Sequence, residues 1–374
     1  MPGVAQPQGF VHKSQQRLSV GPAILFMSFE KRLLNYLSGH LGSSVGVDGL
    51  RRHTEGFSLE TVSFAVSWQN ETGQQKSRRL ILRREPEAGL LEPYDLGPQV
   101  FAMRAVAGTV AVPEVLWFER DPEILDRPFY IMGFVEGEVP LPTLGADGAP
   151  QIADRGTREQ VAADFAQNLA KLHRFDWNKA DLKGLDVPAD GAAAARTQIQ
   201  FWKETIERAK PQPLPMLSRA IRELEATVPS QAPLALVHGD YRTGNFIREG
   251  GKVCAVLDWE MVHIGDPLED LAWAASRFWR GQTDMPGILV EREKFFQFYI
   301  DAGGSPLDEA RLRFYDLLAA VKMTAIMLTG MRAFADERTK DLRMAIFDHQ
   351  LSGTHMILAE SLGLVGSLTT VESM

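Results

Sequence analysis

Apolar residues recur along this chain in two periods, and the change from one to the other divides it. Between Phe29 and Leu41, Leu33, Leu34, Leu37 and Leu41 fall on one side of a helix. Val62, Phe64, Val66 and Trp68 then alternate with Ser63, Ala65 and Ser67, which is the period of a half-buried strand over Thr61 to Trp68. Companion strands are predicted at Val47 to Arg52 and Arg79 to Arg84, with a hairpin turn at Asn70 to Gly73. A helical segment from Gln99 to Val106 follows, and then AVPEVLWFE and RPFYIMGFVEG read as two more strands. Pro140 to Pro150, rich in Gly and Pro, reads as a linker.

Beyond that linker the period is helical. Val161, Phe165, Leu169 and Leu172 recur at helical spacing, which makes His173 at the end of LAKLH a structural residue. GAAAAR and PQPLP bracket a helix containing Phe201, Trp202 and Ile206. Further helices are predicted at Pro267 to Trp279, Val290 to Ala302, Leu307 to Met331 and Lys340 to Leu362, and no internal repeat is seen. A strand-rich part followed by a helical part predicts an α+β protein. At 374 residues the chain exceeds the usual single domain, so two lobes sharing a cleft are expected. The expected division is an arm over residues 1–27, an N-terminal lobe over 28–138 and a C-terminal lobe over 139–374.

The chemistry concentrates between Leu236 and Trp273, in LVHGDYRTGNFI, VCAVLDWE and IGDPLEDLAW. Asp240, Asn245 and Asp258 follow one another there at intervals of five and thirteen residues. Metal-assisted phosphoryl transfer needs such a set: one carboxylate facing the attacking hydroxyl, and an amide oxygen plus a second carboxylate to hold Mg²⁺ against nucleotide phosphates. Protein kinases space their catalytic Asp and Asn in the same way. Taken singly, each is also an ordinary loop residue, since Gly239, Gly244 and Asn245 suit a tight turn. The apolar runs Leu234 to Val237, Phe246-Ile247 and Val253 to Leu257 decide for the set, because buried strands would hold the loop between them.

HGDYRTGN followed by LDWEMVHIGDPLEDLAW resembles the aminoglycoside phosphotransferase superfamily, nearest the kinase-like domain found beside acyl-CoA dehydrogenases. The likeness runs from about Leu34 to Leu362 and is most specific between Val237 and Leu271. It implies a bilobed protein-kinase-like fold with a small antiparallel sheet lobe and a larger helical one, and it implies ATP and Mg²⁺ as cofactors. Asp240 would be the catalytic base, Asn245 and Asp258 the metal ligands, and His238 a structural residue.

The nucleotide side departs further from the pattern. The phosphate-covering turn would be Arg52 to Ser58, with Gly56 and Ser58 reaching the phosphates, but it carries one Gly and Leu59 stands where Asn is common. Arg83 takes the place of the phosphate-orienting Lys, and as a plain strand residue it would be a surface Arg. Its helix partner falls on Gln99, which cannot form an ion pair, so Glu92, Asp95 or the nucleotide alone would hold Arg83. FYIMGFVEG resembles the interlobe hinge, with Met132 and Phe134 at the adenine pocket. Asp266, Pro267, Glu269 and Asp270 read as scaffolding at a helix start beneath the metal loop.

Composition adds exclusions. A net charge of −8 and a pI near 5.6 argue against nucleic acid as a partner. The single cysteine, Cys254, lies in an apolar strand as a small core residue, and no disulfide can form within the chain. His349 and His355 are too loosely spaced for zinc. No stretch reads as a membrane span or secretory signal, so a cytoplasmic protein is expected, of undetermined oligomeric state. The acceptor is expected to be a small-molecule hydroxyl. Arg277, Arg280, Arg292 and Lys294 with Trp202, Trp273, Phe278 and Trp279 suit an anionic, partly apolar acceptor such as a hydroxyacyl-CoA. The alternatives are an aminoglycoside kinase and a nucleotide-binding protein without catalysis.

Overall fold

A computed structural model describes residues 22–42, 44–53, 59–145, 148–280 and 283–365, the first seven of these by backbone alone. Helix α1 (Pro22–Leu41) leads into a five-stranded antiparallel sheet ordered β1-β2-β3-β5-β4. The strands are β1 (Gly46–His53), β2 (Glu60–Gln69), β3 (Gln75–Arg84), β4 (Val115–Glu119) and β5 (Phe129–Gly133). The hairpin between β2 and β3 closes where expected, with Gly73 N donating to Asn70 O at 2.8 Å.

Alternation in β2 sends Val62, Phe64 and Val66 to one face. There they meet Leu80, Leu82, Phe129 and Ile131 and the Phe29, Leu33 and Leu37 stripe of α1. Leu125, on the short helix α3 (Pro122–Leu125) between β4 and β5, closes that core. The opposite face carries Tyr130 and Met132. These join Val100, Met103 and Val106 of α2 (Gly97–Val106) in the core shared with the helical lobe.

The helical lobe comprises α4 (Arg155–His173), α5 (Gly191–Ala209), α6 (Pro215–Ala226), α7 (Leu268–Ala274), α8 (Arg277–Arg280), α9 (Arg292–Asp301), α10 (Glu309–Ala335) and α11 (Leu342–Ser361). Asp154, Asp190, Asp308 and Asp341 cap four of these by accepting first-turn amides. α10 packs against α5, α6, α7 and α11. In length and apolarity α10 could cross a bilayer, contrary to the sequence reading, but 72% of its most apolar window is buried among these neighbours. Two small antiparallel pairs lie among the helices: β6 (Ala235–Val237) with β9 (His263–Gly265), and β7 (Phe246–Glu249) with β8 (Lys252–Val256).

The lobes are joined by backbone as well as by packing. Glu138 and Arg248 exchange N–H···O bonds of 2.9 Å, tying the interlobe segment to β7, and Val256 N donates to Ala111 O at 2.7 Å. Three further features differ from expectation. Pro215, the last residue of PQPLP, starts α6 instead of ending a helix, as its fixed φ at the first helical position allows. The helix expected over Pro267 to Trp279 breaks into α7 and α8 at Ser276, whose hydroxyl competes with the helix for the Phe278 N–H. Cys254 is half-buried between the buried Val253 and Ala255, so it faces away from the core.

Candidate active site

The HGD loop leaves β6 under tight control. Gly239 has φ +81°, and a Cβ there would collide with the Met261 carbonyl, so only glycine fits. The Asp270 carboxylate on α7 accepts the His238 N–H at 2.8 Å and the Gly239 N–H at 2.9 Å, and His173 Nε2 lies 3.1 Å from it. Burial pushes the Asp270 pKa up, but His173, His238 and the backbone donors outweigh it and leave it below the usual range. His173 Nδ1 meets the Tyr299 hydroxyl at 2.7 Å. His173 and Asp270 are thus scaffold, as the sequence implied.

His238 is scaffold too. Its Nδ1 accepts the Asp240 N–H at 3.1 Å and its Nε2 faces the Leu257 carbonyl at 2.9 Å. That pairing fixes a neutral ring protonated on Nε2, and complete burial lowers its pKa despite the nearby Asp270 and Asp240. The ring therefore spans the catalytic loop and the strand end before Asp258.

Asp240 is 8% exposed. Its Oδ2 accepts Asn245 Nδ2 at 2.6 Å, and its Oδ1 accepts Trp273 Nε1 at 2.6 Å and Arg242 Nε at 3.0 Å. Asn245 Nδ2 also reaches the Asp240 carbonyl at 2.9 Å, and Leu257 N donates to the Asn245 carbonyl at 2.8 Å. The loop therefore brings Asp240 against Asn245 and ties Asn245 to the residue before Asp258. Asp258 has φ +59°, a left-handed conformation that turns its carboxylate out of the β8 line.

Arg83 reaches Asp258 from β3 as an ion pair of 2.7 Å, with side-chain exposures of 12% and 26%. Arg83 Nε is buried without a hydrogen-bond partner, so the guanidinium meets Asp258 through Nη1. Burial opposes both charges, yet each holds the other ionised: Arg83 is shifted up and Asp258 down. Gln99 is buried and accepts the Tyr130 hydroxyl at 3.2 Å, and Tyr130 sits opposite Arg83 in the ladder. Glu92 pairs with Arg338 at 2.6 Å and Asp95 accepts the Gly97 N–H at 2.8 Å, so neither holds Arg83.

Among the other expected residues, Gly56 and Ser58 lie outside the described residues. Met132 is buried on β5 in the shared core, and Phe134 follows with Arg79 stacked on its ring at 3.6 Å. The four cations offered to an anionic acceptor are engaged within the protein: Arg277 with Glu360, Arg280 with Asp284, Arg292 with Asp316 and Lys294 with Glu159. Asp266 pairs with Arg311 at 2.8 Å and Glu269 with His263 at 3.1 Å, which makes both scaffold. Two contacts beside Asp240 went unforeseen, the Trp273 N–H and the buried Lys322 ammonium, which donates to the Gly239 carbonyl.

The donor set fits Mg²⁺. The Asn245 amide turns its nitrogen to Asp240, leaving its oxygen for a cation, and Asp258 adds a carboxylate of which Oδ1 meets Arg83 Nη1. Two oxygen ligands are what Mg²⁺ takes when phosphates and water complete its shell.

Comparison with known proteins places the chain. The profile of the phosphotransferase enzyme family matches residues 60–315. Acyl-CoA dehydrogenase family member 10 of Mus musculus is 28% identical over 313 residues, covering 79% of this chain but 27% of that protein, so the chain spans about a quarter of its length. A Ralstonia eutropha JMP134 structure assigned as an aminoglycoside phosphotransferase superposes with TM-score 0.66 at 20% identity, covering 89% of this chain and 98% of that one. A thermostable mutant of the aminoglycoside phosphotransferase APH(4)-Ia, in complex with AMP-PNP and hygromycin B, gives TM-score 0.58 at 16% identity over 91% and 99%. With the kinase-like lobes on one side and the matched catalytic loop on the other, the chain belongs to the phosphotransferase enzyme family.

Proposed function

We propose that this chain transfers the γ-phosphoryl group of ATP to a hydroxyl of a small molecule, with Mg²⁺ held by Asn245 and Asp258. The carrying observation is the Asp240 carboxylate, fixed between Asn245 Nδ2 and Trp273 Nε1, both at 2.6 Å, at the mouth of the HGD loop. A carboxylate so held accepts the acceptor's proton as its oxygen bonds to the γ-phosphorus and the bond from that phosphorus to the β–γ bridging oxygen breaks, releasing ADP. The metal, when bound, neutralises charge on the phosphates. Arg83 supplies fixed positive charge on the nucleotide side, and Met132 and Phe134 flank the adenine position. Positioning and charge stabilisation account for most of the rate in this chemistry.

A hydroxyacyl-CoA is the acceptor this reading favours. Its support is the likeness to acyl-CoA dehydrogenase family members and the wall beside Asp240. Trp273, Met323 and Met327 are packed there with Phe278 and Trp279, and the Arg242 guanidinium lies 4.3 Å over the Trp279 ring. Apolar and cationic groups suit an acyl chain and an anionic carrier better than a polycationic antibiotic. The four engaged cations named above add nothing to this, and Arg242 is itself shared with Asp240 at 3.0 Å, so the apolar groups are the stronger support.

Incubation with Mg·ATP and a panel of 4-hydroxyacyl-CoAs and aminoglycosides, read by ADP release, tests both levels. Asp240→Asn is expected to lower transfer by orders of magnitude while nucleotide affinity persists. Wild-type rates in that variant would overturn the assignment of the base, and turnover of kanamycin-like compounds alone would overturn the acyl-CoA acceptor.

A further inference from the structure

Lys322 is a charged residue in a place where charge is costly. It lies midway along α10 in the apolar run LLAAVKMTAIML and is 2% exposed. Its ammonium donates to the Gly239 carbonyl in the catalytic loop, stands 3.5 Å from Glu269, and sits 4.4 Å over the ring of Trp273 and 5.7 Å over that of Trp202. Trp273 is itself 2% exposed, and its indole N–H is the 2.6 Å donor to Asp240 Oδ1.

We propose that Lys322 and Trp273 form a positioning relay that sets the orientation of the Asp240 carboxylate. The relay rests on the kinase reading above and reaches the base by two routes. One runs through the Gly239 carbonyl, fixing the backbone just before Asp240. The other runs through the indole: a cation on the ring face draws electron density from the π system and strengthens the N–H as a donor. Asn245 holds Oδ2 and Arg242 shares Oδ1, so the Trp273 donor defines the carboxylate plane together with them. A rotated carboxylate would miss the acceptor hydroxyl, whereas nucleotide binding, which rests on the sheet lobe and on the metal ligands Asn245 and Asp258 and not on the plane of the Asp240 carboxylate, would be little changed. Trp273 and Lys322 touch no reacting atom in this scheme.

The test uses the full chain with Mg·ATP, scoring phosphoryl transfer to water and to the acceptor panel by ADP release, with affinity for Mg·AMP-PNP measured by calorimetry. Trp273→Phe and Lys322→Met are each expected to lower kcat about 10-fold to 100-fold, the range of one hydrogen bond to a charged group. Affinity for Mg·AMP-PNP should stay within about twofold of the unmodified protein. In the double variant the losses should not multiply, because both residues act through one carboxylate. Should Trp273→Phe fail to fold, benzothienylalanine at position 273, an indole isostere with sulfur in place of N–H, carries the test. Retention of kcat within about twofold in the isostere, loss of affinity in step with kcat, or multiplying losses would each overturn the relay alone. Absence of any ADP release from the unmodified protein would overturn the kinase reading and the relay with it.

Discussion

Arg83 on β3 and Asp258 beyond β8 form a 2.7 Å ion pair that joins the sheet lobe to the metal loop. In protein kinases the strand cation pairs with a helix glutamate. Here the helix position is Gln99, satisfied by Tyr130, and the cation turns to the candidate metal ligand instead. Removing one partner of a fully buried pair costs about 3–5 kcal/mol, and less is expected here because Asp258 retains some exposure. Arg83→Met should therefore lower the urea midpoint and weaken ATP binding together. Lowered stability with unaltered ATP affinity would make Arg83 a purely structural link.

Asp270 touches no expected substrate, yet its substitution should be among the most damaging. Its two oxygens receive two backbone N–H groups of the HGD loop and face His173 Nε2, and the residue is fully buried. Asp270→Asn puts an NH₂ against those donors, and each buried donor left unpaired costs about 1–3 kcal/mol. The expected outcome is a lower melting temperature and a lower kcat even at temperatures where the variant is fully folded. Unchanged kcat in the folded variant would mean that the loop keeps its shape without this anchor.

Gly287, with φ +57°, presses its bare Cα face against Thr243, and an added Cβ would overlap the Thr243 hydroxyl. Gly287→Ala should displace the loop between Asp240 and Asn245, adding backbone strain of about 1–3 kcal/mol. Kinetics should show a kcat loss exceeding any change in KM for ATP. Equal losses in both would point to a rearrangement wider than the catalytic loop.

The candidate site was legible because Asp240, Asn245 and Asp258 fall within nineteen consecutive residues, in a spacing that suits phosphoryl transfer. The strands of the sheet lobe were legible through alternation, as in Val62, Phe64 and Val66. What escaped depends on distant contacts. β9 spans only His263–Gly265, too short to show a period, and exists because β6 pairs with it. Trp273 read as a core aromatic, and nothing local aims its N–H at a residue 33 positions earlier. Lys322 left a trace that could have been followed, a lone cation inside an apolar helix, for which burial demands a partner. The pairing of Arg277, Arg280, Arg292 and Lys294 needed the fold, since three of the four partners are more than twenty residues or several elements away.

His263 provides a stability test with a defined sign. Burial disfavours its charged ring, but the Glu269 carboxylate at 3.1 Å and the Met261 carbonyl outweigh that and raise its pKa above 6.5, with Lys322 opposing from α10. The Glu269 pKa is correspondingly depressed below 4.5, against its own burial, so the carboxylate stays ionised through neutral pH. A raised folded-state pKa contributes stability that is complete below the unfolded value and disappears as pH rises through the folded one. The stability lost in His263→Gln should therefore be larger near pH 6 than near pH 9, in denaturant titrations at matched ionic strength. The geometry gives the reason: Nδ1 faces the Met261 carbonyl at 2.9 Å and Nε2 faces Glu269, and both are acceptors. A neutral ring has one N–H and leaves one contact unmade, whereas the imidazolium satisfies both. Equal losses at the two pH values would show that the ring is neutral in the folded protein and that only one of these contacts is a hydrogen bond.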